Sequence, residues 1–242
     1  MTVLLAAVLL VVLAGAAVQR VAGVGFALMV SPMLVLLIGP EAIVLSNLLG
    51  VVVCCVVLAG TWRDIDSRRA LLLVPAGLLG VLPGVYLSRR LEPGPLQVTI
   101  GMIILFGLAA ALVSRRLTLP ATAGTTMASG VASGFMTATA AVGGPALTFY
   151  AITTRWEQRL FAATVQISFI SQATLAVGLK GFARLPGLGQ TLALVAAMGA
   201  GLWLGRSVAG RVSAQGARTA AVVVALAGAT ATTVKGLLTW ML

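Results

Sequence analysis

The chain has 242 residues, 60% of them hydrophobic and 9% charged, with a mean hydropathy of +1.11. A soluble domain carries far more charge on its surface, so this composition excludes one and points to an all-α, polytopic membrane protein. The net charge of +11 does not point to nucleic acid: the basic residues stand in short clusters between apolar runs, as the positive-inside rule arranges them, and stacking aromatics are few.

The first apolar run, 2–19, has the look of a signal peptide but lacks a basic stretch ahead of it, which favours a retained helix. Arg20 follows, either to draw anions or to snorkel to the interface. The string GVGF at Gly23 is a poor dinucleotide fingerprint, with no strand before it and no third glycine. The second run, 22–38, contains Ser31-Pro32, a good helix start because serine caps free amides and proline is tolerated at the first helical position. Gly39-Pro40 ends that run. Seven or eight helical residues rise roughly 12 Å, against a hydrocarbon core of about 30 Å, so this helix cannot span alone.

Full-length apolar segments come next, at 42–60, 70–88 and 96–113. Ser46 and Asn47 lie near the start of the first of them. Cys54 and Cys55 are adjacent on a helix and point in different directions, so both read as small packing residues rather than a disulfide or metal pair. Polar stretches from Arg63 to Arg69, from Arg89 to Pro95 and at Arg115-Arg116 separate the segments. The next run, 121–139, leads to AVGGPALTFY, Ala141 to Tyr150, where two glycines and a proline precede another short run, 145–154, that stops at Arg155. Segments at 158–179, 190–209 and 219–241 complete the chain, with Lys235 as an interface anchor. The first of these carries Thr164, Ser168, Ser171 and Gln172 on one helical face, with Gln166 on another.

The two halves resemble each other. Gly80/Gly201, Gly84/Gly205, Arg90/Arg211 and Gly107/Gly228 pair at one constant offset, and Pro32 faces Pro145. The glycines four apart are expected to allow close helix contact. Each half, 1–117 and 118–242, therefore reads as a repeat: a broken helical hairpin (2–38; 121–154) plus three transmembrane helices. A hairpin begins and ends on one side, so each half crosses an odd number of times and the repeats are inverted. The charges agree: Arg63–Arg69, Arg115-Arg116, Arg155/Arg159 and Arg206–Arg218 fall on one side, expected to be cytoplasmic, and Arg89-Arg90 with Lys180/Arg184 on the other. Both termini are then expected outside.

Inverted repeats with broken helices mark a transporter's binding site. A helix start left open within the membrane presents unpaired amides and roughly half a positive charge, which suits an anion. Gly143 and Gly144 let a ligand approach the backbone. The chain has no histidine, and Glu41, Asp64, Asp66, Glu92 and Glu157 all lie in or beside predicted loops. A cation pump or carboxylate proton relay is therefore disfavoured, as is a hydrolase, which lacks any His/Asp pair or metal-ligand set.

Three stretches carry a resemblance to a known family: AGVGFALMVSPMLVLLIGPEAIVLSN, the Thr61-Trp62-Arg63-Asp64-Ile65-Asp66 loop, and SGFMTATAAVGGPALTFY. Together with the GxxxG helices they make the chain similar to the TauE/SafE-type sulfite exporters, also called the 4-toluene sulfonate uptake permease family, over nearly its whole length. It departs where the family's first-half loop has a glycine run and this chain has Phe26-Ala27 after Gly25. The resemblance implies movement of sulfite, sulfonates or related organosulfur anions, sulfite export above all, across a bacterial cytoplasmic membrane. An anion channel and a non-transporting membrane scaffold remain the alternatives. The candidate substrate-binding residues are Arg20, Gly25, Ser31, Ser46, Asn47, Thr139, Gly143, Gly144, Thr164 and Gln166. No catalytic residue, metal ligand or cofactor is expected; the partners are a small oxyanion and the lipid bilayer, and self-association into a homo-oligomer is left open.

Overall fold

The computed structural model describes residues 2–22, 25–181, 187–208 and 213–241. Gly23, Arg184 and Arg211, each used in the sequence reading, lie outside the described residues. The described chain is all α: α1 (Thr2–Ala22), α2 (Phe26–Ile38), α3 (Ala42–Thr61), α4 (Ser67–Arg90), α5 (Pro93–Val113), α6 (Ala123–Ala140), α7 (Gly144–Thr153), α8 (Gln158–Lys180), α9 (Leu188–Val208) and α10 (Ala214–Met241), with single 3₁₀ turns at Trp62–Asp64 and Ser114–Arg116.

Seven of these helices are long and apolar enough to cross a membrane: α1, α3, α4, α5, α8, α9 and α10. The short helices are α2, with 13 residues, and α7, with 10. At 1.5 Å per residue they rise about 20 and 15 Å, well short of the hydrocarbon core. For α2 this corrects the sequence reading. Ser31 and Pro32 do not start the helix but lie inside it. The start sits at Phe26, where Gly25 adopts φ 140°, a backbone shape that L side chains avoid, and the Phe26 amide donates to Gln19 Oε1 at 3.0 Å. Both determinants lie well before Ser31. The expected start of α7 at Gly144-Pro145 is as read.

Packing is governed by glycine. α4 lies along α6, and α9 along α1. A Cβ built on Gly84 would stand 2.8 Å from the Phe135 carbonyl oxygen, and one on Gly205 2.6 Å from that of Ala17. Cβ atoms on Gly80 and Gly201 would collide with the carbonyls of Val131 and Leu13. The four glycines thus serve close helix contact, which without a hydrophobic drive in lipid is what brings helices together. Further pairs are α5 with α10, α3 with α8, α2 with α10 and α7 with α5. In the last two pairs Gly228 opposes Pro32, and Gly107 opposes Pro145.

A Cβ on Gly134 would strike the Gly77 carbonyl, whereas one on Gly178 meets nothing within 4 Å. Gly134→Val should therefore lose about 1–3 kcal/mol or more to overpacking and lower the thermal unfolding midpoint in detergent. Gly178→Val should unfold near the parent midpoint. Equal midpoints for the two would refute a backbone contact at Gly134.

The loops sort by side. Arg159 pairs with Asp64 at 2.7 Å, the Asp66 amide donates to Thr164 Oγ1 at 2.9 Å, and the Leu119 amide donates to the Thr153 carbonyl at 2.9 Å. These contacts bring the α3–α4, α5–α6 and α7–α8 connections together at one end, called here the arginine-rich end. At the other end Arg89 donates to the Leu179 carbonyl, and Lys180 to Ser88 Oγ at 3.2 Å and to the Ala138 carbonyl. Lys235 donates to the Leu36 carbonyl at 2.8 Å. Cys54 is buried, Cys55 is exposed, and both are free.

Candidate functional site

Two helix starts face one cavity. At the first, Gln19 takes the Phe26 amide, and Met29 is the first residue to donate back along the helix, to Gly25. The amides of Ala27 and Leu28 are therefore first-turn donors without an intrahelical acceptor. At the second, Gly143 is the N-cap and has no side chain to satisfy the helix, and proline occupies the first turn. The Gly144 and Ala146 amides are left as open donors. Gly25, Phe26, Ala27 and Leu28 from α2, and Gly143, Gly144 and Thr148 from the α7 side, all line a cavity of about 70 Å³. That is room for several waters, and so for an ion of four heavy atoms.

The rest of the lining comes from α3, α6 and α8: Ser46, Asn47, Gly50, Val53 and Cys54, then Thr137 and Ala141, then Phe169 and Ala173, with Gln19 from α1. No charged side chain is among them. Asn47 Nδ2 donates to the Thr137 carbonyl at 3.2 Å, and Ser46 Oγ is buried without a partner. Behind Thr137, Gln172 Oε1 accepts from Ser133 Oγ at 3.0 Å and Thr137 Oγ1 at 3.1 Å. Gln172 Nε2 is buried without an acceptor.

The approach to α7 is held by unusual backbone. Ala141, at the end of α6, is left-handed with φ 54°, a conformation that costs a non-glycine residue roughly 1–2 kcal/mol. The carbonyls of the last α6 turn need partners beyond the helix: that of Thr137 takes the Ala141 amide at 2.9 Å and also Asn47 of α3, while Lys180 and Ser31 from other helices take those of Ala138 and Ala140. Side chains distant in sequence thus fix where α6 stops.

Of the ten sequence-derived candidates, Gly25, Ser46, Asn47, Gly143 and Gly144 line this cavity. Ser31 stands behind it, its hydroxyl given to the Ala140 carbonyl. Thr139 donates to the Phe135 carbonyl of its own helix at 2.7 Å. Thr164 donates to the Leu160 carbonyl and accepts from Asp66, so it secures the α3–α4 turn. Gln166 donates to the Ala162 carbonyl at 2.8 Å and leaves Oε1 buried without a partner, away from the cavity lining. Arg20 is exposed and does not line the cavity. Gln19, Thr137 and Thr148 were not among the candidates, nor was Gln172. Gln172 shares the polar face of Thr164 and Ser168, and Thr137 lies one turn before Ala141, so both carried a signal in the sequence.

A second cavity, of about 330 Å³, shares Gly25, Leu28 and Thr148 with the first and runs to Arg155, Trp156 and Gln158 at the arginine-rich end. A third, of about 300 Å³ beside Lys180, Arg89 and Glu41, shares no lining residue with either.

The family model described as sulfite exporter TauE/SafE matches residues 7–232. No curated protein and no solved structure matches the chain.

Proposed function

The chain belongs to the sulfite exporter TauE/SafE family of multi-pass membrane transporters, and from that membership we propose that it is a secondary carrier for a small sulfur oxyanion, sulfite foremost, held between the starts of α2 and α7. The observation that carries this reading is that Gly25–Leu28 and Gly143-Gly144 line one cavity. Each helix start contributes about 0.3–2 kcal/mol toward an anion, and more in a dry site. A neutral donor such as Ser46 adds about 1 kcal/mol. With no lysine or arginine among the described lining residues, the anion is held by dipoles, which suits a carrier that must also release it.

In this reading α1–α2 and α6–α7 are the two broken hairpins and the halves 1–117 and 118–242 are inverted repeats. The paired contacts support it. α4 on α6 has its counterpart in α9 on α1, and α7 on α5 in α2 on α10. The glycines that make these contacts are the ones matched by sequence. Corresponding helices also run oppositely: α3 ends at Thr61 beside the arginine-rich end, where α8 begins. The excess of positive charge at that end supports its being cytoplasmic in a bacterial inner membrane.

In this reading the carrier is open toward the arginine-rich end, which is supported by the second cavity that shares Gly25, Leu28 and Thr148 with the central one and is lined by Arg155. It is closed at the other end, where Lys180 and Arg89 cap helix carbonyls. Purified protein in liposomes tests the function. Saturable sulfite flux, stimulated by sulfite on the opposite side of the membrane, is expected. Flux without saturation or counterflow indicates a channel, and no flux of sulfite or any related anion removes the transport reading.

A further inference from the structure

We propose a second anion site on the same path, in the vestibule at the arginine-rich end, where Arg155, the Trp156 indole N–H and the first amides of α8 receive the oxyanion before it reaches the central cavity. The proposal rests on the carrier reading above and adds to it the residues that collect the cargo.

Three independent features meet there. The first is an unpaired cation. The neighbouring carboxylates are committed elsewhere, Asp64 to Arg159 at 2.7 Å and Asp66 to Arg69 at 3.6 Å. Arg155, which lines the vestibule, forms no ion pair among the described residues. Its backbone is left-handed, φ 52°, in a region that non-glycine residues leave unless the surroundings impose it.

The second is a buried donor without an acceptor. Trp156 is 8% exposed and lines the vestibule, yet its Nε1 has no partner. A buried donor left unsatisfied is costly, so its retention needs a reason. The ring cannot turn away. It packs edge-on against Tyr150 and Phe161, at centroid distances of 5.9 and 5.5 Å, with the Arg69 guanidinium 4.4 Å above its face.

The third is the start of α8. Its N-cap, Glu157, makes no side-chain cap bond, and the first intrahelical donor is Phe161. The amides of Gln158, Arg159 and Leu160 are thus unclaimed by the helix, at the positive end of a 23-residue dipole. Gln158 lines the vestibule, while Glu157 is exposed and does not. Apart from Thr148 the remaining walls are apolar, including Leu108, Ile152 and Val222, and Arg155 itself is exposed. From here the anion passes Thr148, Gly25 and Leu28, which line both cavities.

Sulfite flux in proteoliposomes and sulfite-induced change in tryptophan fluorescence in detergent test the site together. Arg155→Gln should raise the half-saturating sulfite concentration about tenfold, the loss of one charge-assisted bond, with maximal flux within about twofold. Arg155→Lys should restore most of the affinity. Trp156→Phe keeps the ring stack but removes the N–H, and should raise half-saturation about threefold or more and abolish the fluorescence change. Flux in the parent with half-saturation unmoved by Arg155→Gln and Trp156→Phe overturns the vestibule site and leaves the carrier reading standing. Absence of flux in the parent overturns the carrier reading. In that case an unchanged fluorescence response in Trp156→Phe, or no response in the parent, overturns this site as well.

Discussion

Gly144→Val should leave the protein folded and inserted while reducing sulfite flux by at least tenfold. A Cβ on Gly144 meets no heavy atom within 4 Å, and the residue lines the central cavity. The valine side chain therefore grows into the space assigned to the anion, beside the open first-turn amides of α7, and costs the fold little. One residue earlier the outcome reverses. A Cβ on Gly143 would collide with Thr137 Oγ1 and stand 2.6 Å from Ser133 Oγ and 2.9 Å from the Ser133 carbonyl oxygen. Gly143→Ala should thus unfold at lower temperature, by about 1–3 kcal/mol of overpacking, whatever it does to flux. Flux and thermal midpoint measured on both variants separate the roles. A well-inserted Gly144→Val that moves sulfite at the parent rate would mean that the anion does not pass this helix start.

Lys180→Met should open the end of the protein that the carrier reading holds closed. The ammonium bridges the last turn of α6 at Ala138 to Ser88 of α4, from the end of α8. Bonds from a charged donor are worth about 1.5–3 kcal/mol, and methionine keeps the apolar stem while losing them. The closed arrangement should lose about ten- to hundredfold in population relative to the open one. The readout is the labelling rate of Ser46→Cys, placed at the central cavity in a background with Cys54→Ala and Cys55→Ala, by an impermeant thiol reagent confined to the Lys180 face. Slow labelling in the parent, fast labelling in Lys180→Met and slow labelling in Lys180→Arg are expected. A rate indifferent to residue 180 would rule out this latch.

The two proline-marked segments show how far local sequence reaches. Gly143-Gly144-Pro145 reads as a helix start and is one. Ser31-Pro32 carries the same signature and is not, because a membrane helix tolerates an internal proline and the true start is set by Gly25 and by Gln19, seven residues away from the amide it accepts. Local pattern could not see that contact. Helix-contact glycines were readable from their spacing, since GxxxG needs only one helix to be recognised; that Gly84 meets Phe135, and Gly205 meets Ala17, is a matter of packing. The polar residues of α8 fail for the same reason. Thr164, Gln166 and Gln172 are all fully buried, yet only Gln172 supports the cavity, through Thr137 of another helix. An apolar span reveals that a polar residue must find a partner, and not which one.

The most direct measurement is a crystal structure with selenite in place of sulfite, located by the anomalous signal of selenium. A selenium peak is expected between the starts of α2 and α7, with its oxygens about 2.7–3.2 Å from the Leu28 and Gly144 amide nitrogens. Selenite that competes for sulfite flux but gives no peak in that cavity, or gives one only elsewhere in the protein, would contradict a site between the two helix starts.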